Sequence, residues 1–351
     1  MKNVNSSYRF VKPHLQRLIK LVDGVGNAVF GYRKSKRSPA KIRSVLLIKL
    51  QHMGDTLAMY PVIDMILNKL PDAKIDVLVR PSIAALFEGA NIIRNVWTMA
   101  PFEAPRQDRK WTLKEGLQMI RDLRAQKYDV VVDLRGDIRA TVFAVSLGAQ
   151  FLIGFGDGGG GFLQNRTAFP LRNLSFIQRD LSVLSLIFPD YAVPDRVTNL
   201  KYPVPEKSIR VINRLCRAKK WTSGTYIVVH PGAGRPEKCL SANNVLEKLK
   251  AHHLDSRIPI VITGAKFERN LMESIGEGLK SDFSNISYLT PRSINHMAAL
   301  LKTAGLMICA DTGPMHLGGF LGIPVEPIFK GEDPAVWFPY FTPAYQGGDH
   351  V

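Results

Sequence analysis

Only three cysteines occur in 351 residues, Cys216, Cys239 and Cys309, and none stands in a C-x-x-C or Cys/His spacing. That disfavours a disulfide framework and a structural zinc site and favours a reducing compartment. Long hydrophobic runs are missing as well. The nearest to one, Ala140 to Gly156, is interrupted by Ser146, Gly148, Gln150 and Gly154 and reads as a buried helix running into a strand. No apolar core followed by a small-residue cleavage site opens the chain, so no secretory leader is read there. There is no Asp-x-Asp pair to chelate a divalent ion, and no metal is expected. Neither domain's first strand-to-helix turn carries G-x-G-x-x-G, which disfavours a nicotinamide-dinucleotide enzyme.

What is present is ordinary globular composition, 46% apolar and 22% charged, at a length that favours two domains. The net charge of +17 is unevenly placed: residues 1–43 hold eleven Lys and Arg against one acid, Asp23. In that segment Phe10, Val11, Leu15, Leu18, Ile19, Val22 and Val25 recur at helical spacing, with Arg9, Lys12, Arg17 and Lys20 largely between them. The cluster Arg33-Lys34-Ser35-Lys36-Arg37 follows. A basic amphipathic helix over residues 1–40 suits an anionic membrane surface, contacted through residues 9–37. The alternative is a helix packed on the protein's own core. Nucleic acid ranks low as a partner, because aromatics are few there and no binding motif accompanies them.

From Lys41 strands and helices alternate. Ser44–Lys49 reads as the first strand, Gln51–Asp55 as its exit loop and Thr56–Leu70 as one helix. Strands at Ile75–Val79, Val96–Thr98 and Tyr128–Leu134, with helices at Ser82–Gly89, Lys114–Lys127 and Ile138–Leu147, complete a domain over residues 41–187; Gly156–Gly161 reads as a loop. A proline-rich stretch, 188–205, reads as a linker. Residues 206–330 form a second domain, with strands at Tyr226–His230, Pro259–Thr263 and Ile286–Leu289 and helices at Ser208–Lys219, Glu268–Leu279 and Ile294–Thr303; residues 331–351 form a tail. Short apolar strands in helical company predict α/β architecture, two Rossmann-like domains with parallel sheets. If they face each other, both sets of strand carboxyl ends border one interdomain cleft.

Leu306–Phe329 is the most informative stretch. A five-residue apolar run, then Asp311-Thr312-Gly313-Pro314, then a second apolar run at Ile323–Phe329 spell strand, short helix, strand. A helix beginning at Thr312–Gly313 directs unpaired N–H groups and its positive dipole end off the strand. With Gly313 admitting close approach and Thr312 and His316 offering hydrogen bonds, a diphosphate is a natural occupant. A capped helix without ligand is the plain alternative.

Three motifs in order, I-K-L-Q-H-M-G-D-T-L-A-M-Y-P at 48–61, H-P-G-A-G at 230–234 with Lys238, and A-D-T-G-P-M-H-L at 310–317, resemble the bacterial lipopolysaccharide heptosyltransferases of glycosyltransferase family 9, over roughly residues 42–340. The resemblance implies a GT-B fold, an ADP-heptose donor held mainly by the C-terminal domain, and a lipid A–core oligosaccharide acceptor held by the N-terminal one. It also implies transfer with inversion, without a metal or other cofactor, by a protein peripheral on the cytoplasmic face of the inner membrane. Asp55 occupies the family's position for the base that takes the acceptor's proton; the plainer alternative, which does not exclude that role, is an N-cap for the helix at Thr56. The expected donor-binding set is Gly232, Ala233, Gly234, Lys238, Asp311, Thr312, Gly313 and His316. A diphosphate departing without a metal needs such donors: glycine-turn backbone, a helix start and a lysine. His230 reads as structural. Arg135 and Arg139, whose i, i+4 spacing puts them on one helix face, and Arg80 are expected to meet the acidic acceptor; a charged rim is the alternative for each.

Three departures stand out. Cys239-Leu240 replaces an aromatic that is common after the lysine, Lys330-Gly331-Glu332 replaces a glycine and threonine after Phe329, and the chain ends soon after Pro343, where relatives continue into further helices. Two other readings stay open: a family member with a different nucleotide-sugar, and a weakened paralogue that binds nucleotide or lipid as an interaction protein.

Overall fold

The computed structural model describes residues 16–30, 39, 41–100, 112–170, 174–195, 197, 202–331, 333–340 and 342–343. It divides into two compact units, Met1–Arg196 and Val197–Val351, the division falling inside the proline-rich stretch 188–205.

The first unit runs α1 (Gln16–Phe30), β1 (Ser44–Lys49), α2 (Met53–Leu57), α3 (Met59–Lys69), β2 (Lys74–Val79), β3 (Asn95–Thr98), α4 (Leu113–Ala125), β4 (Val130–Asp133), α5 (Ile138–Ser146), β5 (Phe151–Phe155), β6 (Arg166–Ala168) and α6 (Phe176–Ser182). Its strands pair in parallel in the order β3-β2-β1-β4-β5-β6. Val45 to Ile48 of β1 are fully buried, as a central parallel strand covered on both faces must be. Polar caps set where the helices begin: Thr112 with Glu115 for α4, Asp137 for α5, Ser175 with Gln178 for α6.

The helix expected at Thr56–Leu70 begins earlier and is broken at Ala58. Pro61 has no N–H to donate to the Leu57 carbonyl, so the ladder fails there. The earlier start closes through Thr56, whose backbone N–H and hydroxyl both donate to the His52 carbonyl. Asp55 is therefore inside the first turn, and His52 holds the N-cap position; the capping reading of Asp55 is corrected.

The N-terminal segment also differs from a separate arm. Its helix, α1, is packed on the first unit, where the Gly160 N–H donates to Asp23 Oδ1 at 2.9 Å and Phe30 stacks on Phe162. Phe10, Val11, Leu15 and the basic cluster at 33–37 lie outside the described residues. No described helix is long and apolar enough to cross a membrane.

The second unit runs α7 (Glu206–Lys219), β7 (Ile227–His230), α8 (Ala242–Ala251), β8 (Ile260–Thr263), α9 (Arg269–Leu279), β9 (Ile286–Leu289), α10 (Ile294–Lys302), β10 (Leu306–Ala310), α11 (Gly313–Leu321) and β11 (Val325–Ile328). The order is β11-β10-β7-β8-β9, again parallel. Pro327 is admissible in β11 because that strand lies at the edge. In each sheet the order reverses beside the first strand, between β1 and β4 and between β7 and β10. Chain segments leaving such neighbouring strands in opposite directions open a crevice at their carboxyl ends, the place where α/β sheets bind ligands.

Candidate active site

At the switch point of the first unit, β1 ends on Lys49, a buried lysine whose ammonium is ion-paired with the Asp180 carboxylate of α6. Arg179 continues the network: it lies 3.7 Å from Asp180, donates to Asp157 Oδ1 at 3.2 Å, and stacks its guanidinium 3.7 Å over the Phe155 ring. Burial pushes the Asp180 carboxyl above the ordinary range; Lys49 and Arg179 pull it back, and the negative charge of Asp55 adds to the rise. Asp55 stands a few residues beyond Lys49, half-buried in the first turn of α2. Among the described residues no side chain donates a hydrogen bond to it.

Arg80, immediately after β2, is buried and lies 3.2 Å from Nδ1 of His52. A guanidinium only donates, so that nitrogen accepts. Arg135 and Arg139 do come together, though not by helical spacing. α5 starts at Ile138, so Arg135 precedes it, and the two guanidiniums converge on the carboxylate of Asp137 between them. Arg135 also donates to the Leu50 carbonyl at 2.9 Å, tying the exit of β4 to the exit of β1. Although burial opposes it, this pair of cations holds Asp137 below the usual carboxylate range. Asp133, the last residue of β4, is fully enclosed and accepts from the Arg135 and Gly136 N–H groups and the Thr141 hydroxyl. Burial nevertheless pushes it up to about 6.

In the second unit β7 ends at His230. Thr263 Oγ1 donates to the Val229 carbonyl, so His230 Nδ1, 3.1 Å from the same oxygen, is the donor in that contact. Its Nε2 is then an acceptor, and burial depresses the imidazole to about 4. The Pro231–Gly234 turn follows. A Cβ on Gly232 would stand 2.0 Å from Glu268 Oε1, so any other residue there would make that carboxylate shift from its place, where it also accepts from the Ala265 N–H at 2.7 Å. Lys238 is no solvated lysine: its ammonium donates to Asp311 Oδ2 at 2.9 Å, joining the segment after β7 to the first residue after β10. Thr312 occupies the N-cap position of α11 without a side-chain capping bond, followed by Gly313 and Pro314. His316 is buried on α11, edge-on to Trp337. Two of the three departures from the family pattern touch: Lys330 Nζ donates to the Cys239 carbonyl at 2.7 Å.

Lys49, Asp157, Arg179, Asp180, His52, Asp133 and Glu268 were not singled out from the sequence. Lys49 reads as the end of a strand, and Arg179 and Asp180 lie on α6, only seven residues long and without a legible apolar stripe. A buried lysine closing an apolar strand is the one signal that was available.

Two doubly wound parallel units with charged and glycine-bearing segments at each switch point define the GT-B architecture of a glycosyltransferase. The chain belongs to glycosyltransferase family 9 (heptosyltransferase), whose model matches residues 117–346. It is similar to lipopolysaccharide heptosyltransferase 3 of Escherichia coli, 24% identical over 82% of this chain and 83% of the relative. The core heptosyltransferase OpsX of Haemophilus influenzae is 21% identical over 85% and 82%. Among solved structures, a family 9 glycosyl transferase from Veillonella parvula superposes with a TM-score of 0.72 at 17% identity over 86% of this chain and 85% of that one. The E. coli heptosyltransferase WaaC with ADP gives 0.66 at 20% identity over 85% and 90%.

Proposed function

We propose that the protein transfers heptose from ADP-heptose to the inner core of lipopolysaccharide, with inversion and without a metal, as a peripheral protein at the cytoplasmic face of the inner membrane. One observation carries this reading: the base candidate and the diphosphate candidates each lie at the switch point of their own sheet, Asp55 beyond β1 and Lys238 with Thr312–Gly313 beyond β7 and β10. Asp55 takes the proton of the acceptor hydroxyl as the new glycosidic bond forms and the bond to the diphosphate breaks. Lys238, held in place by Asp311, the backbone of Gly232 to Gly234, and the start of α11 with Thr312, Gly313 and His316 receive the charge of the departing ADP. Arg80, Arg135 and Arg139 bind acidic groups of the acceptor core. The nucleotide-sugar relatives support the donor class: WaaC has been solved with ADP and with ADP-2-deoxy-2-fluoro heptose.

Parallel calorimetric titration with ADP, UDP and GDP, followed by a transfer assay with ADP-heptose and isolated core acceptor, tests it. ADP is expected to bind best and heptose to appear on the acceptor. Preference for UDP or GDP would replace the donor. Binding of none would favour a non-catalytic paralogue.

A further inference from the structure

α1 does not hold itself on the first unit with its apolar stripe. The side facing the body carries Ile19, Asp23, Gly26 and Phe30. Ile19 lies against Gly159, the Asp23 carboxylate accepts from the Gly160 N–H, and the Phe162 ring fills the place where a Gly26 Cβ would stand. Leu18, Leu21, Val22, Val25 and Val29 point elsewhere and are between 37% and 66% exposed. A surface helix ordinarily buries its aliphatic face and shows its polar one. Here the arrangement is inverted, and a contiguous exposed aliphatic face rimmed by polar residues marks a site of association.

Its chemistry points to the occupant. The only acid of residues 1–43, Asp23, is turned inward, while Arg17 and Lys20 are exposed beside the stripe and the segment as a whole carries +10. The stripe itself is aliphatic, without the Trp, Tyr or Arg anchors that dominate protein interfaces. An aliphatic face flanked by cations, with no exposed acid, matches the headgroup–acyl boundary of an anionic bilayer.

The place of docking adds the functional link. The segment 156–162 under α1 leaves β5 at the carboxyl edge of the sheet, and its other side packs on the start of α5. Gly158 bridges to Asp137, and a Cβ on Gly160 would stand 3.1 Å from Ile138. Asp137 is the carboxylate that gathers Arg135 and Arg139. We propose that α1 is a docked membrane foot: its Leu18–Val29 face lies in the surface of an anionic bilayer and holds the carboxyl edge of the first sheet, with Asp55, Arg80 and Arg135, at the surface that anchors an amphiphilic acceptor. The acceptor part of this rests on the proposed function; the membrane-facing surface does not.

The test uses the full chain and mixed phosphatidylglycerol–phosphatidylcholine vesicles. Leu21→Asp/Val25→Asp, on the exposed face, is expected to leave thermal melting unchanged and to weaken vesicle binding about tenfold or more. Binding equal to wild type would overturn the foot while leaving a purely electrostatic attachment; no binding by wild type would remove the membrane reading altogether. A wild-type dimer made monomeric by the double substitution, without change in vesicle binding, would assign the face to a second copy of the chain and overturn the proposal. Gly26→Leu, which drives a side chain into the Phe162 ring, keeps the outer face but undocks the helix. It is expected to keep vesicle binding, to slow transfer to vesicle-embedded acceptor, and to leave transfer to deacylated soluble acceptor unchanged. Equal rates with the embedded acceptor would overturn the coupling to the sheet edge, and absence of transfer by wild type to either acceptor would count against the proposed function alone.

Discussion

Asp55 combines a half-buried position, a helix first turn and a carboxylate to which no described side chain donates, the features on which its proposed role as base rests. Because it is not the N-cap, Asp55→Asn forfeits only a charge–dipole interaction of about 0.3–1 kcal/mol in stability. Turnover is expected to fall by about 10²–10⁴ with ADP affinity unchanged. Turnover within a few-fold of wild type would move the base elsewhere, and Asp137, which is engaged by two arginines and caps α5, is a poor substitute. Asp133 gives a pH signature. Its carboxyl is raised to about 6 in the fold from an ordinary value of 3.8, so the folded state binds the extra proton in that interval. The contribution of Asp133 to stability is therefore greatest below about pH 4 and falls as pH rises to about 6, by up to about 3 kcal/mol, because each pH step of one across that window costs roughly 1.4 kcal/mol. Asp133→Asn can still accept from the Arg135 and Gly136 N–H groups. Denaturation profiles across that window are expected to show the slope in wild type and its loss in the variant; parallel profiles would mean that Asp133 titrates normally.

At the scale of elements, the pair Lys49–Asp180 fastens α6 to the end of β1, and through Arg179 and Asp157 to the segment after β5. Charges this deeply enclosed are costly to leave alone. Lys49→Met is expected to destabilise the first unit by about 3–5 kcal/mol, because Asp180 is then buried without its ammonium. Lys49→Met/Asp180→Leu is expected to cost less than the single change, which chemical denaturation of both variants would check. A double variant no better than the single one would show that the contribution lies in packing and not in the pairing. The same elements explain what could be read beforehand. β1, β9 and β10 are apolar runs bounded by turn residues, and their limits were legible to the residue. α6 and α8 were not, since seven to ten residues burying two or three large apolar side chains give too short a period to recognise, and only their caps, such as Ser175 with Gln178, announce them; β6, Arg166-Thr167-Ala168, carries no apolar run at all.

For the molecule as a whole, the chemistry proposed assigns the leaving diphosphate to a lysine, a glycine turn and a helix start, so transfer is expected to persist in excess EDTA. Activity lost to the chelator and restored by Mg²⁺ or Mn²⁺ would require a metal in the reaction. Among the described residues no three His, Cys, Asp or Glu side chains gather as a metal-ligand group. Charge acts at this scale too: the +10 of residues 1–43 is expected to make vesicle attachment weaken with added salt, as counterions screen cations from the headgroups.

By itself the sequence determined the class of architecture, two alternating α/β units with a break near residues 188–205, because strand and helix periods and proline clusters are local properties of the chain. It also determined the family and the three motifs that lie at the switch points. Only the tertiary structure decided the partners of these motifs: Asp311 for Lys238, Asp137 for both Arg135 and Arg139, Asp180 for Lys49, and Glu268 against Gly232. It likewise decided that α1 turns Asp23 and Gly26 inward and its aliphatic residues outward. A helical period records that a stripe exists, but which stripe is covered depends on the ring of Phe162 and the N–H of Gly160, more than 130 residues further along the chain. Such contacts are set by how the sheet places its loops in space, and spacing along the sequence carries no trace of them.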